Sequence, residues 1–85
     1  MFINVTQEHI NNGTKGSPVN CALALALKEI FQNKSLDVSV FTTSLVLNRK
    51  VYAMPKNGTD FIRMFDSDII PCKPMELNIP ELSLV

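Results

Sequence analysis

The residues best suited to chemistry are Thr14, Lys15, Gly16 and Ser17, which precede an apolar stretch beginning at Pro18. Unpaired backbone N–H groups at the start of a helix attract anions, and the helix dipole strengthens that attraction. Gly13 and Gly16 let the backbone approach a phosphate, Lys15 adds positive charge, and the two hydroxyl side chains add hydrogen bonds. The pattern predicts a phosphate or carboxylate site, with a flexible loop and an ordinary helix cap as the alternative. The spacing is not that of a Walker A loop.

Three further residues are candidates for contacts with the same ligand. Arg63 lies in a second predicted helix, where its guanidinium could bind an anion through two hydrogen bonds. Tyr52 and Arg49 lie at a predicted hairpin, where the tyrosine ring could stack on a nucleobase. The alternatives are a solvated helix surface for Arg63 and ordinary turn residues for the other two.

Groups suited to catalysis or metal binding are sparse. His9 is the single histidine, and Glu8 is adjacent to it in sequence, so the two do not face each other along a helix. Cys21 lies in the most apolar segment, which disfavours a thiolate. Asp66-Ser67-Asp68 resembles part of a metal-binding loop, but the remaining oxygen ligands are missing. We therefore predict a binding protein with no catalytic residues, no metal and no cofactor.

Length and composition narrow the class of protein. The 85 residues are 46% hydrophobic and carry eight basic and eight acidic side chains, giving zero net charge. A chain this short builds one core, and its surplus of apolar side chains predicts a homo-oligomer or a partner-binding groove. Neutral charge disfavours nucleic acid as a ligand. The longest apolar run, residues 21–27, is too short for a membrane span, and no signal peptide precedes it, so we expect a cytoplasmic protein.

The N-terminal half is predicted to contain one strand and two helical segments. Alternating side chains from Phe2 to Val5 indicate a strand, and Thr6 can cap a helical turn after it. Ser17 followed by Pro18 is a strong helix-start signal, because proline fits the first helical position. We expect this helix to run to about Gln32 and to be apolar on nearly every face.

The rest of the chain is predicted to be mostly strand. Four strand-like segments are present: 37–41, 44–47, 51–54 and 75–79. The sequence Asn48-Arg49-Lys50 indicates a hairpin between the second and third of them. Asn57 or Thr59 can cap a second, shorter helix that ends near Asp66, with inward-facing residues Phe61, Ile62 and Phe65.

These elements predict an α+β fold in which a small antiparallel sheet of three to five strands packs on the central apolar helix and the second helix. Residues 1–79 would form the single domain, and residues 80–85 an apolar tail able to dock or exchange between subunits.

Segments spread over nearly the whole chain resemble a family of small uncharacterised phage and prophage proteins. The matching segments are Val5-Thr6-Gln7-Glu8-His9-Ile10 with a glycine shortly after it, Pro18-Val19 before an Ala/Leu-rich stretch, Tyr52-Ala53-Met54-Pro55, Phe61-Ile62-Arg63-x-Phe65-Asp66, and Pro74. The chain departs from the family by placing its cysteine after Pro-Val and by its longer tail. The motifs are typical of a fold and not of catalysis.

The resemblance implies phage origin and an accessory role directed at the host. Our leading hypothesis is a homo-oligomeric sponge that sequesters a phosphate-bearing nucleotide signal of antiviral defence. In it Thr14, Lys15, Gly16 and Ser17 would hold phosphate, with help from Arg63, Tyr52 and Arg49. The alternative is a protein–protein interaction module that inhibits a host enzyme through an apolar face or the C-terminal arm.

Overall fold

The computed structural model describes residues 1–67 and 72–82 and has the predicted α+β architecture. Within these ranges the chain forms three helices and five strands, and the strands make up two small antiparallel sheets. The elements are β1 (Phe2–Val5), α1 (Gln7–Asn12), α2 (Ala22–Ile30), β2 (Val38–Val40), β3 (Ser44–Leu47), β4 (Lys50–Ala53), α3 (Lys56–Asp66) and β5 (Met75–Asn78). The α+β class is confirmed, and the described strands are divided between a two-stranded and a three-stranded sheet.

The two-stranded sheet joins the first strand of the chain to the last. β1 and β5 run antiparallel, with Ile3 opposite Leu77. Both of these side chains are fully buried, whereas Phe2 is exposed, as the alternation of a half-buried strand requires. After β1, the Thr6 side chain accepts a hydrogen bond from the backbone N–H of His9 and caps α1. The predicted strand, its cap and the predicted C-terminal strand are confirmed.

The three-stranded sheet is a meander in the order β2, β3, β4. Leu47 pairs with Lys50 across a two-residue turn, and the turn residues Asn48 and Arg49 have φ angles of 50° and 69°. Positive φ at both positions is the backbone of a type I′ turn, whose twist matches that of the strands it joins. The predicted hairpin is confirmed: β3 has the predicted bounds, and β4 begins and ends one residue before the predicted segment 51–54.

The predicted start of α2 is wrong. Ser17 does accept a hydrogen bond from the Asn20 N–H, at 3.1 Å, but this closes a single turn. The chain then becomes extended at Cys21, with ψ at 171°, and the α-helix begins at Ala22. The turn is bound to β2 and does not continue into α2, because the Pro18 carbonyl accepts a hydrogen bond from the Val40 N–H. α2 is therefore nine residues long, and it is nearly enclosed, as predicted.

α3 ends where the sequence predicts but is the longest described helix, with eleven residues against nine in α2. Its N-cap is Pro55, with no capping side chain, so the expected caps Asn57 and Thr59 are wrong. Asn57 instead donates from its side-chain nitrogen to the Glu76 carbonyl of β5, at 3.1 Å. The predicted inward residues of α3 are all buried: Phe61, Ile62 and Phe65.

α2 contacts both β1 and β2, so it connects the two sheets through one core. The chain between α1 and α2 passes very close to the start of α2. A Cβ added at Gly13 would lie 2.6 Å from the Ala22 backbone nitrogen and 2.9 Å from the Phe65 ring, which excludes any larger residue without movement. Gly13 thus sets how closely α1, α2 and α3 pack.

Part of the predicted tail packs against the domain. Leu82 is only 4% exposed and belongs to the core, whereas residues 83–85 lie outside the described residues. None of the helices described in the two ranges is long and apolar enough to cross a membrane.

Candidate ligand cleft

The predicted anion loop is closed largely by its own hydrogen bonds. The Thr14 N–H donates to the Asn20 carbonyl at 2.7 Å, and the Ser17 N–H donates to the Thr14 carbonyl at 3.3 Å. Gly16 adopts a φ of 76°, a left-handed conformation that glycine takes without strain. The loop is therefore a folded turn that precedes α2, and its amides are not the free N-terminus of a helix.

The backbone amide of Gly16, which would be central to the predicted anion site, is already hydrogen-bonded to a carboxylate. The Gly16 N–H donates to the Asp66 side chain of α3 at 2.9 Å. The expectation of unpaired amides at a helix start beside Ser17 and Pro18 is therefore wrong for two reasons: the α-helix starts only at Ala22, and the Gly16 amide is bound to Asp66. A phosphate approaching Gly16 would meet the negative charge of Asp66.

The same contact helps to form a cleft of about 350 Å³ at the junction of three segments. Residues 16–18 and Cys21 form one wall, residues 40–42 between β2 and β3 form the second, and Ile62 and Asp66 of α3 form the third. Ligand sites of small molecules commonly begin at about this volume and combine apolar walls with a few polar groups.

The polar groups of the cleft are one carboxylate, two hydroxyls and one thiol. Asp66 is exposed and uses one oxygen for Gly16, while Ser17 and Thr42 contribute hydroxyl groups. Because Ser17 accepts a hydrogen bond from Asn20 through its oxygen, its hydroxyl hydrogen remains available as a donor. The cleft therefore suits a ligand that donates hydrogen bonds to a carboxylate.

Cys21 lies at the inner end of this cleft, at the N-cap position of α2. Its side chain is 4% exposed and makes no capping hydrogen bond. Burial raises the pKa of the Cys21 thiol above its ordinary 9.0, and the negative charge of Asp66 acts in the same direction, although backbone N–H groups of Ala24 and Leu23 oppose the shift. The thiol is therefore protonated at neutral pH and acts as a small apolar group in the floor.

The predicted ligand residues are only partly gathered by the fold. Gly16 and Ser17 line the cleft, whereas Thr14 and Lys15 are exposed on the adjoining loop and do not line it. Arg63 is exposed on α3, three positions before Asp66, a spacing that places the two side chains on neighbouring parts of one helix surface.

Tyr52 and Arg49 are not brought to the cleft. The Arg49 Nε atom lies 4.0 Å from an Asp37 carboxylate oxygen at the hairpin end of the sheet, opposite the end that carries residues 40–42. Tyr52 pairs with Leu45, and its ring lies 5.5 Å from the Lys50 Nζ. The structure therefore separates these two residues from Gly16 and Ser17.

Sequence reasoning missed the partner of His9. His9 is buried, and its Nδ1 accepts a hydrogen bond from the Thr6 N–H at 3.0 Å. This leaves Nε2 as the donor to the Glu29 carboxylate of α2. Because the two residues are separated by 20 positions, no spacing rule connects them. The pair joins α1 to α2 and lines a shallow groove of about 620 Å³ on that side of the molecule.

Comparison with protein-family models, curated proteins and solved structures finds no match to this chain. The resemblance to small phage proteins therefore stays a prediction, and the site must be interpreted from its own geometry.

Proposed function

We propose that this protein binds and sequesters a small molecule in the cleft formed by Gly16, Ser17, Thr42, Ile62 and Asp66. The observation that supports this most directly is the convergence of three separate segments on one concave space of about 350 Å³. Partly apolar walls there adjoin the exposed Asp66 carboxylate, which uses one oxygen to accept from Gly16. This carboxylate can accept a hydrogen bond from a ligand that enters the cleft.

The chemistry of the cleft selects the class of ligand. A flat ring would contact Ile62 and Phe41, while an adjacent N–H donor would bind Asp66. A nucleobase combines these two properties. We therefore propose a nucleotide whose base enters the cleft, with its phosphate outside and within reach of Arg63. This keeps the proposed nucleotide sponge but reverses the predicted orientation, since the base and not the phosphate meets Gly16 and Ser17.

Sequestration is the proposed outcome because of the groups that line the cleft. A buried protonated thiol and two hydroxyls could contact a ligand, and within residues 1–67 and 72–82 no hydrogen bond pairs any of them with a base, as nucleophilic catalysis would require. The phage role in countering host defence rests on the resemblance described above and belongs to the same proposal.

Isothermal titration calorimetry against a panel of nucleosides and signalling nucleotides tests the proposal. Asp66→Asn keeps an oxygen that can accept from Gly16 but removes the charge, so we expect at least about a tenfold loss of affinity. Asp60→Asn is the matched control, because Asp60 is exposed on the same helix and does not line the cleft. Absence of binding across the panel by the folded protein, or equal affinity in both variants, would contradict the proposal.

Arg63→Gln distinguishes recognition of the phosphate from recognition of the base. If Arg63 contacts phosphate, this substitution should weaken binding of a nucleotide while leaving the corresponding nucleoside unchanged. An equal effect on both would contradict the phosphate assignment while leaving the base-binding cleft in place.

A further inference from the structure

The outer face of the three-stranded sheet is uncharged except at its hairpin end, where an Asp37 carboxylate oxygen lies 4.0 Å from the Arg49 Nε atom. By strand alternation, the inner face holds the buried Val38, Val40, Leu45 and Leu47, so the neighbouring positions face outward. The pairing places the outward residues in two rows: Ser39, Val46 and Val51, then Phe41, Ser44 and Ala53. Val51 is 67% exposed and Phe41 is 48% exposed. An outer sheet face in contact with water is ordinarily polar, so this face is unusual.

The two edges of this sheet are treated differently by the rest of the chain. On β2, the Val40 N–H points away from β3 and donates to the Pro18 carbonyl at 2.7 Å, so the loop before α2 contacts that edge of the sheet. On β4, the Met54 N–H bonds to the Thr43 carbonyl, which fixes the alternation and directs the N–H and C=O groups of Val51 and Ala53 away from β3. Within residues 1–67 and 72–82, nothing bonds to those groups.

We propose that β4 pairs antiparallel with β4 of a second copy of this chain, about a two-fold axis at Tyr52. In this register Val51 lies opposite Ala53 of the second copy, and Ala53 lies opposite its Val51. The free groups of both residues then form about four hydrogen bonds across the axis. The two sheets become one continuous six-stranded sheet, and the largely uncharged outer faces merge.

Other symmetric registers use fewer of the free groups. A register centred on Val51 would place Ala53 opposite Arg49, whose φ of 69° turns the chain away from the extended conformation. A register centred on Ala53 would place Val51 opposite Pro55, which has no N–H to donate. The Tyr52 register alone places two extended residues opposite each other on both sides of the axis.

Charge also favours a second copy as the partner. In the proposed register Lys50 lies opposite Met54, and the two Lys50 residues are separated by about 13 Å along the strands. No like charges are therefore placed opposite each other. The β1 edge is less suited, because its outward residue Asn4 is paired with the acidic Glu76 on the same exposed face. The edge of β4 is short, so we expect a dimer that depends on concentration.

Disulfide trapping tests the register directly. In a Cys72→Ser background, Tyr52→Cys would place two thiols across the axis at about 4.5–5.5 Å between Cβ atoms, close enough to bridge after a small adjustment. Lys50→Cys is the matched control, because it lies on the same strand and face but would be too far from its counterpart. We expect rapid cross-linking of the first variant under mild oxidation and little of the second.

Sedimentation of full-length variants provides a test that is independent of the cysteines. Val51→Pro removes an N–H that the monomer does not use, so the dissociation constant should rise at least about tenfold, whereas Val51→Thr should retain dimerisation. Circular dichroism would establish that each variant is folded. A wild-type chain that is monomeric at every concentration, equal cross-linking of both cysteine variants, or binding of β4 only by a different protein would overturn the proposal.

Discussion

The two sheets of this small domain differ in the character of the edge strand that is left open, which is β1 in one sheet and β4 in the other. In the two-stranded sheet, Ile3, Val5 and Leu77 are buried on one face, Asn57 bonds to the outer edge of β5, and the open strand β1 carries the polar Asn4. In the three-stranded sheet, only β2 is covered, while Val51 and Ala53 on β4 remain open. An open edge with few charges invites pairing, and the one charge on β4 is Lys50 at its start. If β4 pairs with a second copy as proposed, the first sheet serves stability and the second serves association.

The largest expected effect contrasts one residue from each sheet. Leu77→Ala removes a fully buried side chain from the two-stranded sheet and should lower the free energy of unfolding by about 2–5 kcal/mol. Val51→Ala removes a mostly exposed side chain and should change it by less than about 0.5 kcal/mol at low protein concentration. Urea denaturation measures both changes. Similar losses would contradict the view that the two sheets contribute differently to stability.

A smaller effect should show how tightly the helices pack beside the two-stranded sheet. Gly13 has φ and ψ of −73° and 150°, which alanine adopts readily, so the cost of Gly13→Ala is purely steric. Contact with the Ala22 backbone should lower the free energy of unfolding by about 1–3 kcal/mol. The exposed neighbour Asn12, changed to Ala, provides the control. A neutral Gly13→Ala would mean that α1 and α2 can separate freely.

The next effect concerns the link between β1 and α1. Thr6→Ala removes the side-chain cap from the His9 N–H and should cost about 1 kcal/mol in thermal or urea unfolding. Thr6→Ser keeps the hydroxyl oxygen and should stay close to the wild type. If both substitutions cost the same, the methyl group and not the cap would be the stabilising feature.

The last prediction concerns the reactivity of the two cysteine thiols and not the stability of the fold. Burial raises the pKa of the Cys72 thiol above 9.0, and the nearby charge of Lys15 opposes but does not cancel this shift. Labelling by a thiolate-specific reagent should therefore keep accelerating as the pH rises through 9.0, where an unperturbed thiol begins to level off. Cys21 is more deeply buried and should label more slowly than Cys72 until urea unfolds the chain. Mass spectrometry of the labelled peptides distinguishes the two.

Local signals predicted the elements that depend on local interactions. Side-chain alternation identified β1, a compact polar turn identified the β3–β4 hairpin, and helical spacing identified the buried face of α3. In each case the residues that determine the structure are neighbours in sequence or lie one helical turn apart. The α+β class follows from these elements.

The start of α2 and the ligand cleft depend on contacts that sequence spacing does not reveal. Ser17 and Pro18 do form a turn, but the Pro18 carbonyl is bound by Val40, and the extended backbone of Cys21 separates that turn from α2. Gly16 and Asp66 are 50 residues apart, yet their hydrogen bond changes the cleft from anion-binding to acidic. These outcomes are tertiary effects that override a sound local signal.

The pairing of Phe2 with Asn78 also bears on the order in which the domain folds. Closing a loop that spans nearly all of the chain carries a larger entropic cost than closing the two-residue turn at Asn48 and Arg49. We therefore expect the β3–β4 hairpin to form early and the β1–β5 pairing to complete the domain. In that order of events β4 is already extended while most of the core is still assembling. Partly folded chains would then expose the open edge of β4 before the domain reaches its full stability.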